Sequence, residues 1–169
     1  MIDFLKLIWL LIPAGVANMI PPITAKIWPK WNAPIDDGKK WKGKPILGSH
    51  KTWRGLITGV ISAEIVYLVL LLVVSHNIDW PWWFGGMLGL VGLIGDMVKS
   101  FFKRRVGVKS GNTWFPWDQI DWIIGVILFG LCWGLLNFAE IVTLLVIGLL
   151  LHMLFKLMGY ALKINKTAI

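Results

Sequence analysis

The stretch Tyr67-Leu68-Val69-Leu70-Leu71-Leu72-Val73-Val74 has no charged residue and no alternation of apolar and polar side chains. A strand of a membrane β-barrel alternates lipid-facing and lumen-facing residues over about ten residues, and this stretch does not. A helix that crosses a bilayer needs about 20 mostly apolar residues, which the surrounding segment 55–75 supplies. The stretch therefore predicts a transmembrane helix.

The composition of the whole chain agrees with this prediction. Of its 169 residues, 57% are hydrophobic and only 15% are charged, and the mean hydropathy is +0.71. An average soluble domain is about 25% charged, and a chain of this length cannot bury so much apolar surface in water. These values exclude a soluble globular enzyme, a disordered tail and a secreted disulfide scaffold. The single cysteine, Cys132, excludes an internal disulfide.

Five segments are long and apolar enough to cross a membrane: 4–24, 55–75, 82–102, 119–138 and 140–160. We predict an all-α integral membrane protein in which residues 1–169 form one bundle of five transmembrane helices, with polar loops at about 25–54 and 103–118. Pro13, Pro21 and Pro22 predict an interrupted first helix, because proline lacks a backbone donor. Glycine and alanine at four-residue spacing in the second and third helices predict close packing there.

The basic residues predict the orientation of the bundle. Of the 17 lysines and arginines, eight lie in segment 25–54, five in segment 99–118 and three at the C-terminal end. In a five-span bundle these three regions share one side of the membrane, which the positive-inside rule places in the cytoplasm. The sequence thus predicts an N-terminus outside and a C-terminus inside, in the cell membrane. The net charge of +8 belongs to membrane loops, so we expect no nucleic-acid partner.

Three aspartates predict a functional site at the cytoplasmic side. Asp96 lies inside the third predicted helix, with Lys99 and Lys103 on the same helix face, and Asp118 and Asp121 begin the fourth. An ion pair between Asp96 and either lysine, with Asp118 as a helix cap, is the structural alternative. Ionisable residues within a membrane are functional candidates. Three converging carboxylates beside several bases suit Mg²⁺, or Mn²⁺ in its place, together with a phosphorylated ligand.

A second basic element, Gly48-Ser49-His50-Lys51-Thr52-Trp53-Arg54-Gly55, leads into the N-terminus of the second helix. Helix N-termini attract phosphate, and Lys51, Thr52 and Arg54 supply further donors there. A topology signal with a tryptophan anchor is the alternative.

Three more polar residues are candidates for a cavity. Asn18 lies between prolines in the first helix, where it caps free carbonyls or lines a cavity. Glu64 lies deep in the second helix, as a structural donor or a cavity residue. Asp37 belongs to an Asp-Asp-Gly sequence that is also typical of a turn.

These elements resemble the motifs of a known enzyme family. Lys51-Thr52-Trp53-Arg54-Gly55 is similar to the K-T-W-E-G stretch of phosphatidate cytidylyltransferases. Ser100-Phe101-Phe102-Lys103-Arg104, Lys109 and Asp118-Gln119-Ile120-Asp121 resemble that family's C-terminal signature, although Gln119 stands where those enzymes have arginine. The shorter, five-span CDP-archaeol synthases of archaea resemble the chain over nearly its full length.

This resemblance implies an activity. It implies transfer of CMP from CTP to a geranylgeranyl ether-lipid phosphate, with pyrophosphate as the second product. It also implies that the three aspartates hold Mg²⁺. The residues expected to bind the nucleotide phosphates are Lys51, Thr52, Arg54, Ser100, Lys103, Arg104 and Lys109. The alternatives are a CTP-dependent polyprenol kinase and a small transporter or channel subunit, and the oligomeric state stays open.

Overall fold

The computed structural model describes residues 2–74, 79–108 and 112–161, which fold mostly into helices. The helices in chain order are α1 (Phe4–Ile27), α2 (Trp53–Val73), α3 (Phe84–Arg105), α4 (Trp117–Cys132) and α5 (Phe138–Ala161). Between α1 and α2, strands β1 (Lys40–Trp41) and β2 (Lys44–Pro45) pair as a short antiparallel hairpin. Within the described part of the chain, the predicted helical architecture is therefore observed.

Four of the helices, α1, α2, α3 and α5, are long and apolar enough to cross a membrane. Helix α4 has 16 residues, which gives a length of roughly 24 Å, below the ~30 Å hydrocarbon core. The prediction that the fourth span continues to residue 138 is wrong. Gly134 adopts the left-handed conformation with φ of 65°, and the Leu135 N–H donates to the Gly130 carbonyl at 2.8 Å, which ends the helix.

Helix α1 is continuous, so the predicted interruption of the first helix is wrong. It includes Pro13, Pro21 and Pro22 over its 24 residues. Pro21 has no N–H to donate to the Ala17 carbonyl four residues earlier. That carbonyl faces Gly59 of α2, so the missing bond falls where the two helices are in close contact. Packing against α2 therefore stabilises a segment that proline alone would weaken.

Helix α4 runs antiparallel to α3 over most of its length. Gly95 of α3 lies against the Asp121 carbonyl, and Gly125 of α4 lies against the Val91 carbonyl. A side chain at either glycine would collide with the backbone of the other helix, so the two helices touch backbone to backbone. Farther along, the rings of Phe84 and Phe129 pack at 5.3 Å between centroids. This register brings the start of α4 beside the end of α3.

The two ends of the bundle carry different charged groups. At one end, the Lys6 ammonium lies 2.7 Å from the buried Glu140 carboxylate and fastens α1 to the start of α5. At the other end, Lys51 of the long α1–α2 loop forms an ion pair with Asp96 of α3. Both basic loops therefore lie at the end opposite to Asp3 and Glu140, as the distribution of bases predicts.

A pair of glycine substitutions tests the α1–α2 contact. A Cβ atom at position 59 would lie 2.8 Å from the Ala17 carbonyl oxygen, whereas a Cβ atom at position 92 has ordinary contacts, the nearest at 3.6 Å. We expect Gly59→Ala to lower the thermal unfolding midpoint in detergent, because overpacking typically costs about 1–3 kcal/mol. Gly92→Ala should leave the midpoint unchanged or raise it, because alanine favours helix by about 1 kcal/mol. Equal midpoints for the two variants would contradict the close contact.

Candidate functional site

The ammonium group of Lys99 lies between three carboxylates at the basic end of the bundle. Its Nζ atom is 3.2 Å from Asp96 Oδ1, 2.7 Å from Asp118 Oδ1 and 2.9 Å from Asp121 Oδ2. Asp96 is also paired with Lys51, and Asp118 with Lys103 at 2.7 Å. We call these six residues the charged cluster: Lys51, Asp96, Lys99, Lys103, Asp118 and Asp121.

The backbone explains why these side chains meet. Asp96, Lys99 and Lys103 follow one face of α3 at spacings of three and four residues. Asp118 and Asp121 lie one turn apart at the start of α4. Because Gly95 lets the Asp121 backbone touch α3, both aspartates of α4 reach the lysines. The N-cap position belongs to Pro116, which makes no side-chain cap bond, so the alternative of Asp118 as an N-cap is wrong.

The cluster is buried and its charges balance. The Asp121 side chain is 3% exposed and that of Lys99 is 14% exposed. Charges withdrawn from water are tolerated only when they are paired, and three carboxylates here face three ammonium groups. Among the described residues, no three His, Cys, Asp or Glu side chains are grouped closely enough to hold a metal ion without rearrangement. The Lys99 ammonium stands at the centre instead.

Two of the predicted phosphate ligands instead hold the long loop. The Thr52 hydroxyl caps α2 by accepting a hydrogen bond of 3.2 Å from the Gly55 N–H. The Arg54 side chain, 5% exposed, donates to the carbonyls of Trp28 and Trp31 at 2.7 and 2.8 Å. Both side chains thus make local contacts in the structure, and their role as phosphate donors stays a prediction. The carbonyls that Arg54 satisfies lie more than 20 residues earlier in the chain.

The other predicted phosphate ligands have different positions. Lys51 and Lys103 belong to the charged cluster. Ser100 is buried on α3, and Arg104, also buried, donates to the Val108 carbonyl, so its guanidinium closes the turn after α3. Lys109 lies outside the described residues.

Two of the three cavity candidates, Glu64 and Asp37, make contacts away from the charged cluster. Asn18 is half-buried on α1. Glu64 Oε2 accepts a hydrogen bond of 2.6 Å from the Gly86 N–H in the first turn of α3, a helix whose own N-cap residue makes no side-chain bond. Glu64 thus caps a neighbouring helix. Asp37 occupies a turn with φ of 49°, its side chain is 71% exposed, and the cavity expectation for it is corrected.

The sequence analysis missed Asp36, which organises the loop. Its carboxylate accepts hydrogen bonds from the N–H groups of Leu47 at 2.8 Å, Gly38 at 3.1 Å and Gly48 at 3.2 Å. Burial acts to raise the pKa of Asp36, but these backbone donors together hold the pKa below its usual value. The carboxylate stays ionised and closes the loop just before the segment that carries Lys51.

Arg105 was also missed, and it attaches the hairpin to α3. Its guanidinium donates to the carbonyls of Trp41 and Lys44 at 2.6 and 3.2 Å. The same group lies over the rings of Trp41 and Phe101, at 5.5 and 5.0 Å from their centroids, and these two rings stack on each other. The only sequence signal was a basic residue at the end of a helix. The attachment fixes the hairpin to α3 two residues beyond Lys103.

Two concave surfaces adjoin the cluster. A small pocket of about 40 Å³ has His50, Lys51, Thr52 and Asp96 among its lining residues. An apolar groove of about 710 Å³ lies between α3 and α4, with Lys99 and Asp121 in its wall. The cluster therefore lies between a small pocket with charged side chains in its wall and an apolar groove.

Comparison with known proteins gives consistent matches. The family model described as CarS-like, CDP-archaeol synthase, matches residues 1–168. CDP-archaeol synthase of Methanospirillum hungatei JF-1 is 34% identical over 169 aligned residues, covering 93% of this chain and 99% of the relative. CDP-archaeol synthase of Methanopyrus kandleri is 35% identical, covering 96% of this chain and 91% of the relative.

A solved structure is similar as well. It is described as giving structural insight into an intramembrane enzyme for archaeal membrane lipids biosynthesis. It superposes with a TM-score of 0.76 at 29% identity, covering 90% of this chain and 93% of that one. The similarity in structure extends over nearly the whole bundle, as does the similarity in sequence.

Proposed function

The chain belongs to the CDP-archaeol synthase family, and on that premise we propose that it transfers CMP from CTP to 2,3-di-O-geranylgeranylglycerol 1-phosphate, giving CDP-archaeol and pyrophosphate. It is a multi-pass membrane enzyme, a CTP-dependent cytidylyltransferase of archaeal phospholipid synthesis. The observation that carries the proposal beyond family membership is the charged cluster. Carboxylates for a metal and ammonium groups for phosphates meet there beside an apolar groove.

The proposed reaction does not need a protein side chain as a general base. The nucleophile is the phosphate monoester of the lipid, whose second pKa is about 6, so it is largely dianionic near neutral pH. One of its oxygens attacks the α-phosphorus of CTP, the bond between the α-phosphorus and the bridging oxygen breaks, and pyrophosphate leaves with that electron pair. Catalysis then depends on alignment and on neutralising charge. We propose that Lys51, Lys99 and Lys103 contribute to both.

The acidic side chains of the cluster are the candidate ligands of a magnesium ion. We propose that Asp96, Asp118 and Asp121 hold Mg²⁺, with Mn²⁺ as a substitute, because carboxylate oxygens are the ligands these ions prefer. The same oxygens already surround a cation, the Lys99 ammonium. A metal ion at that centre requires the ammonium to leave it, which the flexible four-carbon stem of lysine allows. A bound ion would supply positive charge to the phosphate groups of the nucleotide.

Orientation in the cell membrane follows from charge. We propose that the end with the charged cluster faces the cytoplasm, with the N-terminus outside and the C-terminus inside. CTP then reaches the site directly, while the lipid phosphate approaches within the bilayer. The grouping of both basic loops at one end of the bundle supports this orientation.

Cysteine labelling tests the orientation. In a Cys132→Ser background, we expect Lys40→Cys in the exposed hairpin to react with an impermeant maleimide only from the cytoplasmic side of membrane vesicles. Asp79→Cys, in the exposed segment before α3, is the matched control and should react only from the opposite side. The reverse labelling pattern would show that the bundle has the opposite orientation in the membrane.

Labelled CTP tests the reaction. A cytidylyltransferase moves the α-phosphorus into lipid and releases the γ-phosphorus as pyrophosphate, whereas a lipid kinase moves the γ-phosphorus. We expect lipid-extractable label from α-labelled CTP and none from γ-labelled CTP, with the lipid phosphate as acceptor. Because the acceptor needs no general base, His50→Ala should keep a substantial share of the activity. Label from the γ-position in lipid would show a kinase instead.

Substitution of the aspartates tests the metal site. We expect Asp96→Asn, Asp118→Asn and Asp121→Asn each to lower turnover by roughly 100-fold or more, as removal of a charge-stabilising group does in other enzymes. Asp37→Asn, in the exposed turn, is the matched control and should be fully active. Binding of Mn²⁺, followed by electron paramagnetic resonance, should weaken in the three cluster variants and persist in the control. Full activity in excess chelator would contradict the proposal.

A further inference from the structure

The hairpin of strands β1 and β2 lies against a side of α3 that faces away from the charged cluster. Arg105, which holds the hairpin, follows Asp96 by nine residues, roughly two and a half helical turns, so the two side chains leave α3 on opposite sides. On the side of Arg105, Val98 is 50% exposed and Ile94 is 43% exposed. In a membrane this apolar face contacts lipid, so the hairpin lies where a lipid-facing side of the bundle meets water.

The two faces of the hairpin differ in their contacts. Trp41 and Lys44 form a cross-strand pair and share one face. The Trp41 ring stacks on Phe101 of α3, with 5.4 Å between the ring centroids. The Lys44 ammonium donates to the Arg105 carbonyl at 2.8 Å. Because side chains alternate along a strand, Lys40 lies on the other face, which is directed away from α3.

Lys42 occupies the turn of the hairpin together with Gly43. Their φ angles are 51° and 76°, which are typical of a two-residue type I′ turn. Asparagine, aspartate and glycine adopt this conformation more readily than lysine does, so lysine adds charge here rather than a better turn. Among the described residues, no carboxylate forms an ion pair with Lys40 or Lys42, whereas the preceding Lys39 lies 3.7 Å from Asp37.

We propose that the hairpin binds the headgroup of an anionic phospholipid of the bilayer, with Lys40 and Lys42 at its phosphate. Trp41, which is 50% exposed, lies between these lysines and the lipid-facing side of α3. Such a position at the membrane interface favours tryptophan, because its ring is apolar and its N–H is polar. A lysine near an anionic membrane surface strengthens binding about fivefold, so two lysines at one headgroup give a clear preference for anionic lipid.

The proposed lipid is a component of the bilayer and not the lipid phosphate that reacts. The reacting groups are expected at the charged cluster, on the opposite side of α3 from the hairpin. For the same reason, CTP bound at the cluster would not bring its phosphates to Lys40 and Lys42. The inference therefore goes beyond the proposed function and does not depend on it, since it needs only a bilayer that contains anionic lipid.

A fluorophore on the outer face of the hairpin measures this binding without turnover. In a Cys132→Ser background, Pro45→Cys introduces a thiol opposite Lys40, on the face directed away from α3. The labelled protein is placed in phosphatidylcholine vesicles that contain a small fraction of quencher lipid, which carries a nitroxide on its acyl chain close to the glycerol. We expect quencher phosphatidylglycerol to associate at least about fivefold more strongly than quencher phosphatidylcholine does.

Two double variants locate the effect. Lys40→Gln combined with Lys42→Asn removes both proposed ligands, and asparagine suits the left-handed conformation at residue 42. We expect the two quencher lipids to associate equally with this variant. Lys30→Gln combined with Lys39→Gln is the matched control, since it removes two exposed charges from the same loop outside the strands and their turn. The control should keep the preference for phosphatidylglycerol.

Three results would overturn the inference. Equal association of the two quencher lipids with the labelled protein that keeps both lysines would show that the hairpin does not select anionic lipid. Loss of the preference in both double variants would show that the lipid responds to the net charge of the loop. A raised KM for CTP in the Lys40 and Lys42 variant, measured in neutral detergent, would assign these lysines to the nucleotide. The labelled-CTP experiment decides the proposed function separately, because quenching requires no reaction.

Discussion

The ion pairs around Lys99 are the interaction on which the functional end of this protein depends. One ammonium group contacts carboxylates from α3 and α4, and Lys51 brings the α1–α2 loop to the same place. Loss of one member of a buried ion pair typically costs about 3–5 kcal/mol, because the partner charge is left without compensation. The balance of three positive and three negative groups therefore holds two helices and a loop together while keeping reactive groups away from water.

The same balance explains how a site rich in charge can exist at the edge of a membrane. A group of three carboxylates alone would repel one another and disfavour burial. While no ligand is bound, the lysine ammonium groups neutralise this repulsion between the carboxylates. A nucleotide with its metal ion brings both signs of charge, so the side chains can exchange partners instead of losing them. On the proposed function, binding of ligands by this cluster would be a rearrangement of ion pairs rather than the filling of an empty space.

The sequence predicted the helices well, because the length of an apolar segment decides whether it can form a helix that crosses the membrane. The sequence-based prediction failed where contacts between distant segments decide the structure. Helix α1 continues through Pro21, although the Ala17 carbonyl lacks its helical hydrogen bond, because Gly59 of α2 packs against that carbonyl. The end of α4 was predictable from Gly134 and was overlooked. At the site, helical spacing was enough to place Asp96, Asp118 and Asp121 at one end of the bundle. Spacing could not show that Arg54 donates hydrogen bonds to the carbonyls of Trp28 and Trp31. It also could not show that Lys99 would lie at the centre of the charged cluster. Both features depend on how separate segments of the chain fold together.

The backbone contact of Gly95 and Gly125 has a consequence for how the protein can change over evolutionary time. Because no side chain separates α3 from α4 at this crossing, the spacing between their aspartates does not depend on the sizes of neighbouring residues. Outward-facing positions on α2, such as Ile57 and Ile65, can then drift among apolar residues as membranes and temperatures differ. The geometry of the charged cluster is insulated from that drift. Two residues without side chains thus let the rest of the bundle adapt while the chemistry stays in place.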